Sequence, residues 1–314
     1  MRVLVTGGAG FIGSHTVDLL LAQGHDVCVV DSLVNGDRDH VDPRAAFHEV
    51  DITDAPALRA VFARERPQAV VHLAAQIDVR VSLREPAYDA QVNILGSLLV
   101  MDTALEAGAQ KIVYASSGGA IYGDPEPASL PVRENYPIRP LAPYGVAKHT
   151  VEHYLDLYAQ RGLAYTTLRY ANVYGPRQNP AGEAGVIAIF TRNLLLGLPS
   201  RIFGDGEQTR DYVYVGDVAA ANALALSRGD GLALHIGCGV ETSVNELHEL
   251  LCAAADTRTP AHHEPERPGE VQRIALDATM AARELGWRPS VDLKAGLART
   301  VDYVRGLSDQ GKLA

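Results

Sequence analysis

A tyrosine and a lysine four residues apart, Tyr144 and Lys148, have the types and spacing that fit acid–base chemistry. On a helix this spacing places both side chains on one face. A phenol with a pKa of about 10 is a poor base at neutral pH, and lowering that pKa by about three units requires about 4 kcal/mol. One cation about 4 Å away supplies that much at an effective dielectric constant near 20. Because the same spacing also occurs on solvated helix faces, the assignment depends on what else the chain binds.

A glycine-rich segment near the N-terminus supplies a second signal. After a short β-branched run, Gly7, Gly10 and Gly13 follow at intervals of three residues, and Phe11 and Ile12 open a helical pattern. The spacing differs from the G-x-G-x-x-G fingerprint but meets the same needs, which are a tight turn and a backbone that approaches a pyrophosphate. The start of the helix also favours an anion. The segment predicts a dinucleotide site, with a glycine turn that binds no ligand as the alternative.

The next buried strand indicates which dinucleotide is bound. It ends on Asp31, twenty-four residues after Gly7, where a carboxylate can accept the ribose hydroxyls and would repel a 2′-phosphate. The nearest arginine, Arg38, is seven residues further on, so NAD is favoured over NADP. A bound oxidised nicotinamide adds a second positive charge that helps to make Tyr144 a base.

The composition limits the classes of partner. The 314 residues include 28 basic and 38 acidic side chains, a formal charge of −10, which argues against a general affinity for nucleic acid or anionic lipid. No apolar run approaches the roughly 18 residues of a membrane helix, and the N-terminus lacks the pattern of a signal peptide. We therefore expect a cytoplasmic protein that binds neither nucleic acid nor membrane.

No metal site is expected. The three scattered cysteines have no CxxC spacing, so a thiolate zinc site is not indicated. His149 and His153 lie at helical spacing, and we interpret them as part of a helix face without a carboxylate partner. The adjacent residues His262 and His263 face different ways.

Alternating strand and helix signals predict the fold class and the domains. The class is α/β, a Rossmann-like doubly wound parallel sheet with a smaller mixed α/β substrate domain. We place an NAD-binding domain at residues 1–172, joined by part of 212–240, and a second domain at 173–314. A long helix is predicted from about Pro86 to Ala107 and another over Tyr144–Gln160. The cleft between the domains is the expected ligand site.

Several motifs that occur in one order along the chain carry a family resemblance. They are Gly7-x-x-Gly10-x-x-Gly13, Asp51-Ile52, His72-Leu73-Ala74-Ala75, Ser116-Ser117 before Tyr122-Gly123, and Tyr144-x-x-x-Lys148. On these motifs the chain resembles the extended short-chain dehydrogenase/reductase family over essentially its whole length. Within that family it is most similar to the NAD-dependent nucleotide-sugar epimerases of the UDP-glucose 4-epimerase type.

The resemblance implies a set of cofactor contacts. Asp51 and Ile52 match the pair that holds the adenine, and the stretch Leu73–Ala75 matches the one that lies along the cofactor. The residues expected to contact NAD are Gly7, Gly10, Phe11, Ile12, Gly13, Asp31, Asp51, Ile52, Leu73, Ala74, Ala75, Tyr144 and Lys148.

The resemblance also implies substrate contacts, most of them in the second domain, which is then mainly a nucleotide-sugar-binding domain. Asn172, Arg210 and Arg267 match residues that contact the diphosphate, and Glu270 matches an acid that holds the nucleotide ribose. Guanidinium groups bind phosphate oxygens bidentately, so a net-acidic protein has to concentrate cations locally. We therefore expect a UDP-sugar as the substrate.

One position departs from the family pattern. The family usually carries Ser or Thr four residues before the tyrosine of the Tyr-Gly pair, and this chain has Gly118 there. Ser117, one residue earlier, can be the third catalytic residue and a substrate contact only if the flexible Gly118-Gly119 pair lets the strand end re-aim it. Otherwise water or the substrate's own hydroxyl completes the hydrogen-bond chain.

The implied reaction is the reversible 4-epimerisation of a UDP-hexose, UDP-glucose or UDP-galactose, through a 4-keto intermediate with tightly bound NAD. The alternatives are a UDP-N-acetylhexosamine or UDP-glucuronate 4-epimerase or decarboxylase, a 4,6-dehydratase, and a non-catalytic NAD-binding protein. Gly119-Ala120 stands where the resembling dehydratases place an Asp-Glu pair, which weighs against that chemistry. Ile274 stands at a position where the resembling enzymes carry a bulky aromatic residue that excludes N-acetylated sugars. Because isoleucine is smaller, we expect some acceptance of these sugars. By resemblance, the two long helices imply a homodimer.

Overall fold

The computed structural model describes residues 1–180, 185–266 and 271–311. The strands are β1 (Arg2–Thr6), β2 (Asp26–Asp31), β3 (Ala46–Glu49), β4 (Ala69–His72), β5 (Lys111–Ser117), β6 (Ala164–Tyr170), β7 (Asn172–Tyr174), β8 (Ser200–Phe203), β9 (Thr209–Arg210), β10 (Tyr212–Tyr214), β11 (Leu232–Ile236), β12 (Thr242–Ser243) and β13 (Ala261–Glu264). The helices are α1 (Phe11–Ala22), α2 (Ala55–Glu65), α3 (Val79–Arg84), α4 (Pro86–Ala90), α5 (Ser97–Glu106), α6 (Gly118–Ile121), α7 (Pro143–Ala159), α8 (Val186–Leu195), α9 (Val215–Ala225), α10 (Val244–Ala255), α11 (Thr279–Glu284) and α12 (Leu293–Asp309). Within these described ranges, no helix is both long and apolar enough to cross a bilayer.

Seven of the strands form one fully parallel sheet in the order β3-β2-β1-β4-β5-β6-β11. The chain goes from β1 to β2 and β3 on one side, then returns to β4 on the other. A switch of this kind opens a crevice at the carboxyl ends of the two central strands, where open α/β sheets bind ligands. The predicted Rossmann-like, doubly wound parallel sheet is confirmed.

Apolar clusters cover both faces of this sheet. Along β1, Val3 and Val5 face the cluster that includes Val17 of α1 and Val218 of α9, whereas Leu4 faces the cluster under α2, α5 and α7. All five side chains are fully buried. Successive residues of a strand point to opposite faces, so burial on both sides requires the continuous apolar run that the strand carries.

A third apolar cluster lies beyond the sheet. Phe190 of α8, Leu251 of α10 and Val301 of α12 meet there, and the three helices pack against one another. Three small sheets, β7 with β10, β9 with β12 and β8 with β13, accompany them. In contrast, α9 packs on α1 and β11 forms an edge of the main sheet. The proposed domain boundaries stay a prediction.

The helix expected from Pro86 to Ala107 is interrupted. Between α4 and α5, residues Gln91–Gly96 form a wider π-helical turn. Asn93 in this turn is buried, and its amide group both accepts the N–H of Gln76 and donates to the Gln76 carbonyl, each at 2.9 Å. Such turns are rare inside α-helices and often lie at functional sites. Gln76 lies in a loop outside the helix, so the helical pattern of the sequence did not reveal the interruption.

A buried ion pair ties α7 to the sheet. Arg169 of β6 donates through Nε and Nη2 to the two carboxylate oxygens of Glu152 in α7, at 3.0 and 2.6 Å. The hydroxyl of Ser116 in β5 donates to the same carboxylate at 2.6 Å. Burial raises the pKa of the Glu152 carboxyl, but hydrogen bonds from His149 and Arg169 outweigh it and lower the pKa to about 2. The carboxylate therefore stays charged at physiological pH.

Replacing Arg169 by methionine tests this pair. Arg169→Met leaves the Glu152 carboxylate buried without its partner, and removing one member of a buried pair destabilises by about 3–5 kcal/mol. The free energy of unfolding in urea, measured on the cofactor-loaded protein, should fall by that amount. The matched control is Arg305→Met, since Arg305 pairs with Asp302 on the surface of α12. This variant should lower the free energy of unfolding by less than about 1 kcal/mol. Equal losses in both variants would contradict the interpretation.

Candidate active site

The glycine turn after β1 forms a cradle without room for side chains. Gly7 has a φ of +71°, and a Cβ there would lie 2.7 Å from the backbone N of Ala74. A Cβ on Gly13 would overlap the carbonyl oxygen of Gly7. Gly10 occupies the N-cap position of α1, where no side chain caps the helix, so the N–H groups of the first turn are available to an anion. These features fit a pyrophosphate approached by backbone.

The segment after β4, Leu73–Ala75, lies beside this turn and is half-buried. The N–H of Leu73 donates to the carbonyl of Thr6 at 3.1 Å, and that of Ala74 donates to Thr6 Oγ1 at 3.3 Å. Nδ1 of the buried His72 forms a further hydrogen bond to Thr6 Oγ1, at 2.7 Å. These bonds link the ends of β1 and β4 and fix the width of the crevice.

Asp31, at the end of β2, is a buried carboxylate held by backbone. Its Oδ2 accepts the N–H of Ala9 and its Oδ1 accepts the N–H of Leu33, both at 2.9 Å. Burial raises the pKa of this carboxyl, and the two hydrogen bonds oppose the shift. Each carboxylate oxygen has a second lone pair, so the group can still accept hydroxyls from a ribose.

The predicted adenine pair follows β3. Asp51 is exposed, and its Oδ1 accepts the N–H and the hydroxyl of Thr53 at 2.8 and 2.7 Å. The side chain of Ile52 is buried in the cluster under α2 and α5, so it serves the core. A contact of this residue with adenine therefore depends on its backbone.

The three predicted catalytic side chains converge at the carboxyl end of β5. Lys148 is 4% exposed, its Nζ lies 5.8 Å from the centre of the Tyr144 ring, and it donates to the carbonyl oxygen of Ala115 at 2.8 Å. Ser117, the last residue of β5, lies beside Tyr144, and its side chain lowers the pKa of the phenol. Since Tyr144 and Lys148 both lie near the start of α7, the junction of this helix with β5 positions the whole set.

The surrounding protein acts on the protonation of this pair. Desolvation raises the pKa of the Tyr144 phenol to about 12, the charge of Asp89 acts in the same direction, and the hydrogen bond from Ser117 opposes them. Desolvation also lowers the pKa of the Lys148 ammonium to about 8, against the charges of Asp89 and Glu152. Lys148 is therefore mainly protonated at neutral pH, whereas Tyr144 needs further positive charge beside it to become a base.

Packing explains why glycine occupies position 118. A Cβ on Gly118 would overlap Cδ1 of Leu276 and lie 3.0 Å from its Cδ2. Leu276 is fully buried, and its N–H donates to Oδ2 of Asp211 at 3.1 Å. Ser117 precedes the short helix α6 in an extended conformation, with φ −133°. Ser117 therefore stands at the end of the strand, one position earlier than the family pattern.

Two predicted substrate residues lie in the strands that follow the main sheet. Asn172 begins β7, and its N–H donates to the carbonyl of Asp211 at 2.9 Å. A Cβ on Gly119 would lie 3.3 Å from Oδ1 of Asn172, so this amide lies next to the turn that follows Ser117. Arg210, in β9, is half-buried and directly precedes Asp211.

Arg267 and Glu270, the other predicted substrate residues, lie outside the described residues. Nearby, Arg273 forms an ion pair with Glu241 at 2.8 Å, which occupies its guanidinium group. Ile274 is 2% exposed and belongs to the apolar cluster of the main sheet.

Sequence patterns did not reveal Asp89, which lies in α4 and is 1% exposed. Its Oδ1 accepts from Gln76 Nε2 at 2.8 Å and from Asn93 Nδ2 at 2.9 Å. Its Oδ2 has no hydrogen-bond partner within the described part of the chain. The charge of Asp89 acts on both Tyr144 and Lys148. The sequence signal that could have indicated Asp89 is its position four residues before Asn93, which places the two side chains on one face of a helix.

The parallel sheet, the glycine cradle and the Ser–Tyr–Lys set define a class of protein. The family model described as the NAD dependent epimerase/dehydratase family matches residues 3–237, and the chain belongs to that family. The expected membership of the extended short-chain dehydrogenases/reductases, and the expected use of NAD, are thereby confirmed. The individual residue roles stay predictions.

Three relatives are similar over nearly the whole chain. A UDP-glucose 4-epimerase of Mycolicibacterium smegmatis is 44% identical over 315 residues, covering 98% of this chain and 100% of its own. The crystal structure of a UDP-glucose 4-epimerase from Thermotoga maritima with UDP-glucose is 47% identical with a TM-score of 0.96, covering 98% and 100% of the two chains. The UDP-glucose 4-epimerase of Thermus thermophilus in complex with NAD is 44% identical with a TM-score of 0.93, covering 98% and 99%.

Placing the family's usual serine at position 118 tests the packing there. Gly118→Ser should destabilise the protein by about 1–3 kcal/mol, because adding atoms to a filled core has a penalty of that size. The matched control is Gly306→Ser in α12, where nothing lies within 4 Å of an added Cβ. Urea unfolding measures both variants. A Gly118→Ser protein as stable as the wild type would mean that Leu276 gives way without penalty.

Proposed function

We propose that this protein interconverts UDP-glucose and UDP-galactose by inverting the configuration at sugar C4 through a 4-keto intermediate, and that NAD stays bound throughout. One observation carries the proposal: Ser117, Tyr144 and Lys148 meet at the end of β5, two strands from the glycine cradle after β1. Relatives that are 44% and 47% identical over nearly the whole chain bear this activity in their names.

The cofactor site is assigned to the crevice at the strand switch. NAD, when bound, supplies the acceptor and the donor of a hydride at the sugar carbon. The turn Gly7–Gly13 offers backbone N–H groups to the pyrophosphate, and Asp31 accepts the adenosine ribose hydroxyls. Leu73–Ala75 lines the crevice, and Asp51 with Ile52 holds the adenine.

Tyr144 acts as the base and acid at the C4 hydroxyl. It removes the hydroxyl proton and later returns it, which a positioned phenol can do once its pKa approaches the working pH. Lys148 keeps a positive charge beside the phenol. The hydroxyl of Ser117, whose side chain lowers the pKa of Tyr144, also contacts the substrate and connects the sugar hydroxyl to the phenol.

The nucleotide end of the substrate is held while the sugar is free to turn. Arg210 and Arg267 bind the diphosphate as guanidinium forks, Asn172 contacts it beside the catalytic turn, and Glu270 holds the uridine ribose. A firm anchor at the diphosphate lets either face of the flat keto sugar meet the same reactive groups, which an inversion requires.

The sugar pocket extends the proposal to a second substrate. Ile274 matches a position where an aromatic side chain excludes N-acetyl groups in the resembling enzymes, although its own side chain packs at 2% exposure in the apolar cluster of the main sheet. We therefore expect UDP-N-acetylglucosamine to be accepted to some extent. A 4,6-dehydratase is disfavoured because Gly119 and Ala120 offer no acid or base for C5 and C6.

Nuclear magnetic resonance of the sugar tests the reaction. The cofactor-loaded protein should bring UDP-glucose and UDP-galactose to one mixture from either side. Tyr144→Phe should lower turnover at least about 100-fold while retaining NAD, measured after denaturation. Tyr154→Phe on the exposed part of α7 is the matched control and should keep its activity. The proposal fails if no UDP-hexose is interconverted, or if the two variants are equally active.

We also propose that two copies associate through the helices beside the active site. Leu95 before α5, and Val146 and Leu157 of α7, are exposed apolar side chains on neighbouring helices. Contiguous exposed apolar residues mark association surfaces, and helices here form the dimer in resembling enzymes. A cytoplasmic location stays a prediction, and so does the absence of nucleic-acid and membrane partners, for which the net charge of −10 is the argument.

A charge on this surface tests the dimer. Leu157→Glu should shift the mass measured by light scattering from two chains to one, because the new carboxylate would have to be buried. Leu198→Glu is the matched control, since Leu198 is similarly exposed, at 46% against 54%, but lies after α8. A wild-type protein of one chain, or a Leu157→Glu dimer as tight as the control, contradicts the proposal.

A further inference from the structure

The outer side of α7 carries two imidazoles that the proposed reaction does not use. His149 and His153 lie one turn apart, and their Nε2 atoms approach to 3.2 Å. The ring planes meet at 64°, with centres 4.6 Å apart. His149 is partly exposed and His153 is exposed. Two ring nitrogens therefore approach each other on the side of α7 that also carries Val146 and Leu157, the side that we propose for the dimer.

This separation is the one that a metal ion requires of two ligands. Imidazole nitrogens bind Zn²⁺ at about 2.0–2.1 Å, which in a tetrahedral shell places them about 3.3 Å apart. Histidines four residues apart on a helix are an established arrangement for zinc ligands. Without an ion, the same approach is a hydrogen bond between the rings, so the pair is already close to binding geometry.

Glu152 sets the tautomer that makes His149 a ligand. Nδ1 of His149 lies 3.1 Å from Oε2 of Glu152, and Arg169 pairs with the same carboxylate oxygen at 2.6 Å. The ring therefore carries its proton on Nδ1 and presents a lone pair at Nε2. A carboxylate behind a histidine in this way orients metal ligands and raises their basicity. The expectation that these histidines lack a carboxylate partner is wrong.

We propose that His149 and His153 bind one divalent transition-metal ion, with Glu152 as the supporting carboxylate and water in the remaining positions. Imidazole ligands suit Zn²⁺, Ni²⁺ and Cu²⁺ rather than Mg²⁺ or Ca²⁺. The described residues contain no group of three or more His, Cys, Asp or Glu placed to hold a metal, so one chain supplies two ligands. The ion is therefore exchangeable.

The chain offers a matched control pair. His262 and His263 are neighbours in β13 and both are exposed, so they expose as much imidazole as the pair on α7. Successive side chains of a strand point to opposite sides, and Nδ1 of His263 is bonded to the carbonyl of Gly204 at 2.8 Å. These two rings cannot converge on one ion.

Titration with Zn²⁺ tests the site. The protein carries its cofactor, lacks a histidine tag and is first freed of metal with a chelator. Calorimetry should show saturable binding, with one ion per chain, or one per two chains if copies share it, and Mg²⁺ should not compete. His149→Asn and His153→Asn should each weaken binding at least about tenfold, and His262→Asn should leave it unchanged. Circular dichroism and NAD content verify folding.

Two results would overturn the proposal. The first is a wild-type protein that takes up no Zn²⁺ at about 1 mM, and the second is binding that both variants on α7 retain at wild-type strength. Neither depends on the reaction, because binding is measured without substrate. A protein that fails to epimerise any sugar but binds Zn²⁺ through these residues would keep this site and lose the proposed function.

Discussion

The active site depends on burying one ammonium group, that of Lys148, without losing its charge. Burial lowers its pKa from the ordinary 10.5 to about 8, a shift that corresponds to about 3 kcal/mol. The carbonyl of Ala115 accepts from it at 2.8 Å, and the charges of Asp89 and Glu152 oppose the loss of its proton. These groups come from β5, α4 and α7, so three elements must be placed correctly for one cation to persist.

Glu152 extends this constraint from the site to the rest of the fold. The same carboxylate accepts from Ser116 in β5 and from Arg169 in β6, and it lies four residues after Lys148 on α7. The ion pair therefore fixes the helix against the two strands that it crosses, and with it the position of the catalytic side chains. On its outer side the carboxylate faces His149, so one buried charge connects the sheet to the surface.

Short sequence patterns predicted the features that depend only on neighbouring residues, such as the glycine turn and the buried strands. A turn as tight as the one at Gly7 excludes side chains whatever the rest of the chain does, and apolar runs predict strands buried on both faces. Contacts between distant segments were not predictable. Asn93 widens its helix to bond a preceding loop, and Leu276 fills the space beside Gly118 from more than 150 residues away. Likewise, the burial of Asp89 depends on how α4 packs against α7.

The pKa of Tyr144 determines how much positive charge the site has to assemble. Moving it from about 12 to neutrality, about five units, requires about 7 kcal/mol, more than an isolated phenol would need. Lys148 Nζ lies 5.8 Å from the ring centre and is part of the protein in which this pKa is about 12, so the charge that lowers it further has to come from a bound group. A unit charge about 4 Å away contributes about 4 kcal/mol at an effective dielectric constant near 20, and an oxidised nicotinamide carries such a charge. The proposed role of Tyr144 as the base therefore requires the oxidised cofactor beside it, which would restrict proton removal to the state that can also accept a hydride.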